Sequence, residues 1–163
     1  MTVVDPEKDA LHEFLTYQRA SVLAVLAGLD DQALRRPVLP SGWTPLGLVE
    51  HLGHAERHWF QEVLTGAAEP LPWPDDDVPL TTSRSTTVAF GFYANQCRIS
   101  DSIIVATPLT AAPVGRHPDA VLAAQTTDLR RIMLHVIEET ARHAGHLDVV
   151  RELIDGRTGL GPR

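Results

Sequence analysis

The sequence is poor in cysteine, in clustered basic residues and in long apolar runs. Cys97 is the only cysteine in 163 residues, which excludes an intrachain disulfide, and no adjacent histidine marks it as a nucleophile. No lysine or arginine run exceeds two residues and the formal net charge is -7, which excludes the basic surface of a nucleic-acid binder. No apolar run approaches the roughly 18 residues of a membrane span, and no signal-peptide pattern begins the chain. We therefore expect a cytoplasmic protein with no membrane partner.

Length and composition are those of an ordinary globular domain. The 163 residues are 44% hydrophobic and 21% charged, which excludes a disordered or fibrous chain. A chain of this size buries enough apolar surface to fold without disulfides or metal. We predict a single domain over residues 1–163, in which a bound metal would serve chemistry rather than folding.

Apolar residues recur at three- and four-residue intervals in four segments, which predicts four amphipathic helices. A polar cap followed by proline begins the first two helices, at Asp5-Pro6 and Thr44-Pro45. The predicted helices span about 6–28, 44–64, 88–105 and 126–156, with one further turn at about 30–36. Gly66 and Gly156 are the predicted stops of the second and fourth helices.

Two proline-containing segments, at 67–85 and 107–119, are predicted loops, the second with an extended segment at ATPL. Residues 119–123 are too short a pattern to classify. Asp75, Asp76 and Asp77 lack the spacing of a calcium loop and are predicted to be a solvated acidic run. With no alternating strand and no repeat, the predicted fold class is all-α, a single four-helix bundle with long crossover loops.

Three polar residues of the fourth predicted helix, Glu139, His143 and His146, lie on one face. With about 100° per residue, His143 lies roughly 40° from Glu139 around the helix axis, and His146 lies roughly 20° from Glu139 on the other side. A carboxylate and an imidazole one turn apart can share one metal ion. One helix seldom completes such a site, and the second helix offers His51 at the edge of its apolar stripe. These residues predict a metal site between two helices.

The two histidine-containing segments resemble the DinB-like superfamily of small four-helix metal proteins. The matching features are WTPLGLVEHLGHAERHWF at 43–60 and a fourth helix with two ligands four residues apart, followed by small residues and a hydrophobic run. The resemblance implies that His51, Glu139 and His143 hold a divalent metal, zinc first, with nickel, manganese or iron as alternatives. Glutamate replaces the usual first histidine, as in the mycothiol-dependent maleylpyruvate isomerase branch, and His146 is the alternative to Glu139.

The resemblance also implies an activity and a co-substrate. Its thiol branch predicts a metal-dependent thiol S-transferase or thiol-assisted isomerase that joins a low-molecular-weight thiol, such as mycothiol, to a small electrophile. His146 and His54 are the predicted catalytic residues, with His58 as an alternative base. A surface imidazole is the commoner role for His54 and His58.

Two other functions stay open on the sequence. A metal-dependent hydrolase needs the same ligands plus a general base, for which Glu138, His146 or an unligated Glu139 is available. A non-enzymatic metal-binding bundle would act by dimerising, through the first helix and the loop residues Pro72 and Trp73. Turnover without added thiol would identify the hydrolase, and absence of turnover would favour the homodimer.

Overall fold

The computed structural model describes residues 5–67 and 78–159. Six α-helices and one π-helical segment occupy these ranges: α1 (Pro6–Leu26), α2 (Asp31–Leu34), α3 (Pro45–Glu56), the π-helical segment (Arg57–Leu64), α4 (Thr86–Ala106), α5 (Ala120–Gln125) and α6 (Leu129–Asp155). No residue in 5–67 or 78–159 belongs to a strand. The all-α class is confirmed there, whereas the helix count is larger than the four predicted. None of these helices is long and apolar enough to cross a membrane.

The predicted caps form hydrogen bonds with the first turn of their helices. The backbone N–H of Lys8 donates to the Asp5 carboxylate at 3.2 Å, and the N–H of Gly47 donates to the Thr44 hydroxyl at 3.1 Å. Each cap satisfies a donor that has no partner within its helix. At the other end of the chain Gly156 ends α6 with a φ of 78°, a left-handed conformation that glycine adopts without strain.

The predicted second helix changes its winding halfway. It is α-helical only to Glu56 and continues as the π-helical segment to Leu64. At its end the N–H groups of Val114 and Gly115 donate to the carbonyls of Leu64 and Val63, at 3.0 and 2.8 Å. A Cβ on Gly115 would overlap a carbonyl of the π-helical segment. The uniform α-helix predicted for 44–64 is wrong, because apolar periodicity does not distinguish α from π winding.

The second predicted loop, 107–119, docks on the start of α6. The carbonyls of Leu109 and Ala111 accept hydrogen bonds from the N–H groups of Arg130 and Leu129, at 3.0 and 3.1 Å. The predicted extended segment at ATPL forms no strand, because its backbone bonds to a helix start instead of to a neighbouring strand. The unclassified residues after Asp119 form α5. Pro72, Trp73 and Asp75–Asp77 lie outside the described residues.

Packing brings the two histidine-bearing helices together. α1 packs mainly on α6 and α3 mainly on α4, while α3 also contacts α6. The buried apolar side chains form two clusters, one containing Leu15 and Val136 and the other containing Val22 and Ala144. Between these positions on α1 lies Arg19, which is buried in an ion pair with a carboxylate of α3. The core is therefore two apolar clusters with polar residues between them.

Candidate metal site and its cavity

His51 on α3 meets Glu139 and His143 on α6. One donor atom of each side chain lies within 4.8 Å of the others. His51 Nε2 is 3.3 Å from Glu139 Oε1, and the rings of His51 and His143 have centroids 5.1 Å apart. All three side chains are half-buried. We call these three residues the triad.

The protonation of Glu139 and His143 suits metal binding. Burial would raise the pKa of Glu139, but the hydrogen bond and charge of His51, with the nearby imidazoles, hold it below its usual value. Burial, with the neighbouring His51, lowers the pKa of His143 to about 4. Near neutral pH Glu139 is therefore an anion and His143 a neutral imidazole, the forms that bind metals.

The donor set fits a divalent transition metal. Two imidazole nitrogens and one carboxylate oxygen are a common ligand set for zinc and similar ions, and three protein ligands leave positions for an exogenous one. His146 is exposed, and its Nδ1 is 3.4 Å from Nδ1 of His143. Its ring lies 6.3 Å from that of Trp43. His146 is thus a neighbour of the triad, whose third member in this geometry is Glu139.

His135, which sequence reasoning missed, lies beside the Glu139 carboxylate oxygen that does not face His51. Its Nε2 lies 3.6 Å from Glu139 Oε2, while Glu139 Oε1 faces His51. Its ring packs against Trp59 with centroids 4.6 Å apart. The four-residue spacing between His135 and Glu139 was a signal that could have identified this contact.

The triad opens into a cavity of about 830 Å³. Its wall also includes His146, His135, Trp59 and His117, and Arg142 together with acidic and apolar side chains completes it. Sites for small ligands typically have volumes of about 300–1,000 Å³, so this cavity has room for a thiol and a second small molecule. His117, on the loop before α5, is a further residue that the sequence analysis did not identify.

His54 and His58 lie elsewhere. The His54 ring packs on Phe92 at 4.8 Å, its Nε2 is 3.6 Å from a Glu50 oxygen, and it is not among the residues lining the cavity. The catalytic role of His54 stays a prediction. His58 is only 5% exposed, and its Nδ1 is 2.9 Å from Glu62 Oε2. The expectation of a surface imidazole is wrong for His58, which is buried and bonded to the buried Glu62 carboxylate.

Cys97 does not supply a nucleophile to the cavity. It belongs to the edge of the second apolar cluster and is not a cavity-lining residue. Burial, followed by the nearby Glu56 carboxylate, raises the pKa of its thiol to about 12. Cys97 is therefore a protonated packing residue at neutral pH, as its sequence context indicates.

One of three comparisons with known proteins gave a match. Comparison with curated proteins and with solved structures found no match. The family model described as Mycothiol-S-transferase matches residues 10–156, a range that contains the triad, the π-helical segment and all of α6. The chain belongs to the mycothiol S-transferase family.

Proposed function

We propose that this protein is a metal-dependent S-transferase that joins a low-molecular-weight thiol of the mycothiol type to a small electrophile. The observation that carries the proposal is the triad, in which two imidazoles and a carboxylate converge from two helices at a cavity. Family membership supports the thiol as co-substrate. The substrate electrophile and the identity of the metal belong to the proposal.

His51, Glu139 and His143 would hold the divalent ion, for which zinc is the first candidate and nickel, manganese and iron are alternatives. When bound, such an ion supplies Lewis acidity that favours the thiolate form of a coordinated thiol. Glu139 Oε1 is hydrogen-bonded to His51 at 3.3 Å, and His135 Nε2 lies 3.6 Å from Oε2. These contacts orient the carboxylate toward the triad.

The remaining residues of the cavity bind and orient the reactants. The protein's own thiol, Cys97, is protonated and outside the cavity, so the attacking sulfur comes from the co-substrate. We assign to His146 the acceptance of the thiol proton, because it lines the cavity and lies 3.4 Å from His143.

Conjugation assays test this proposal. Metal-loaded protein is incubated with mycothiol, glutathione or N-acetylcysteine and with monochlorobimane or chlorodinitrobenzene, and metal-free protein serves as the blank. We expect faster conjugation with at least one thiol, and loss of this rate in His51→Ala. His12→Ala is the matched control, because His12 bonds Asp101 at 2.8 Å and does not line the cavity.

The outcomes separate the competing functions. Conjugation at the blank rate with every thiol would contradict the S-transferase. Hydrolysis of an activated ester without thiol would instead identify a hydrolase, with Glu138 in the cavity wall as a base. A cytoplasmic location and a homodimer remain predictions, and analytical ultracentrifugation measures the oligomeric state.

A further inference from the structure

His117 occupies a fixed position on the cavity wall. Its ring stacks on Trp59, with centroids 4.9 Å apart and planes 11° from parallel, and its edge meets the His58 ring at 5.0 Å. The loop that carries it is anchored by the two backbone hydrogen bonds from Val114 and Gly115 to the end of the π-helical segment. A stacked ring on an anchored loop is a preorganised surface rather than a mobile side chain.

The hydrogen bonding of His117 determines its tautomer. The backbone N–H of Asp119 donates to Nδ1 of His117 at 2.9 Å, so Nδ1 is the unprotonated nitrogen. Burial lowers the pKa of His117 below its usual value, and nearby His58 contributes in the same direction. The neutral ring near pH 7 therefore carries its proton on Nε2, which makes Nε2–H a hydrogen-bond donor.

We propose that His117 is the electrophile-binding residue of this cavity and selects flat, conjugated carbonyl compounds, whose oxygen accepts a hydrogen bond from its Nε2–H. This inference rests on the proposed S-transferase and deepens it. The stacked His117 and Trp59 rings, with the apolar side chains of Pro118 and Leu122 in the same wall, favour a flat apolar body. The triad lies in the same cavity. Trp59 contacts His135, which in turn lies beside Glu139 of the triad.

The chemistry of such a substrate is an addition without a leaving group. The thiol sulfur forms a bond to the β carbon, and the double-bond electrons move through the α carbon to the carbonyl oxygen. The developing charge on that oxygen is stabilised by the His117 N–H. The proton released by the thiol returns to the α carbon, so one thiol and one unsaturated ketone give one thioether ketone.

Binding of unreactive analogues tests His117 without thiol or turnover. Fluorine NMR titrations on the metal-loaded full chain compare 4-fluoroacetophenone, which has the acceptor oxygen, with 4-fluoroethylbenzene, which lacks it. One hydrogen bond raises the affinity for the ketone relative to the hydrocarbon by about two- to tenfold. His117→Phe, which keeps a flat ring and removes the donor, should lower the ratio of ketone to hydrocarbon affinity by this factor. Arg116→Ala, a neighbour in the same loop outside the cavity wall, should keep the preference.

The results are decisive in each direction. A ratio of ketone to hydrocarbon affinity that is the same in His117→Phe and in the parent protein overturns the role of His117. Conjugation of phenyl vinyl ketone with thiol adds a kinetic measurement, in which His117→Phe should raise KM for the ketone and lower kcat while metal content stays unchanged. Absence of conjugation together with a normal ketone preference would reject the S-transferase while leaving the His117 contact intact.

Discussion

Removing the charge of Glu56 should destabilise the fold more than removing a charge from a surface ion pair does. Arg19 is 6% exposed and Glu56 is 1% exposed, and two hydrogen bonds of 2.7 Å join the guanidinium to both carboxylate oxygens. Breaking a buried pair by removing one partner typically costs about 3–5 kcal/mol. Arg19 keeps a 2.6 Å hydrogen bond to the more exposed Asp101, so we expect the lower end for Glu56→Gln, about 3 kcal/mol.

That loss is measurable by thermal and urea unfolding followed by circular dichroism. For a chain of this size it corresponds to a fall in Tm of about 6–12 °C. The control is Glu7→Gln at the exposed pair of Glu7 and Arg130, which should leave Tm unchanged. The double variant Arg19→Met/Glu56→Leu should recover most of the loss, because apolar replacements of a buried pair are often neutral or stabilising. An unchanged Tm in Glu56→Gln would refute the reasoning.

Three further predictions concern packing, capping and thiol reactivity. Gly47→Ala should lower the free energy of unfolding by about 1–3 kcal/mol, because its Cβ would overlap the Leu80 carbonyl. Gly145→Ala, with open space around it, should raise the free energy of unfolding by about 0.5–1 kcal/mol. Equal unfolding free energies of the two variants would contradict this. Asp128→Ala should cost about 1 kcal/mol in urea unfolding, since Asp128 caps α6. Cys97, which is half-buried with its pKa raised to about 12, should react with Ellman's reagent at pH 8 far more slowly in the native protein than after guanidinium unfolds the chain. Equal rates would contradict the raised pKa.

The helices were predictable because their determinants are local. Apolar periodicity and the caps at Asp5 and Thr44 depend on residues within one or two turns, and those caps are present in the fold. The shared face of Glu139 and His143 also follows from helical spacing alone. The position of His51 at the edge of an apolar stripe made it a candidate partner for that face, and the superfamily resemblance selected it as the ligand.

Features made by distant contacts were not predictable. The end of the π-helical segment bonds to a loop about 50 residues further along the chain, whose N–H groups reach the carbonyls of Val63 and Leu64. The same contact places His117 on Trp59, and no spacing in the sequence relates these two residues. The expectation of a surface imidazole for His58 came from the usual behaviour of histidine, whereas helical spacing already placed it near the edge of the buried stripe.

Zinc affinity across four variants tests most directly whether the triad binds the metal. Competitive titration with a fluorescent chelator measures zinc binding to His51→Ala, Glu139→Gln, His143→Ala and His146→Ala, and circular dichroism confirms helix content. We expect the first three to lose at least about 100-fold in affinity, beyond the roughly 10- to 100-fold cost of losing a residue bonded to a ligand. His146→Ala should bind zinc nearly as the parent does. Unchanged affinity in His51→Ala, or a loss in His146→Ala that exceeds the loss in Glu139→Gln, would contradict the account.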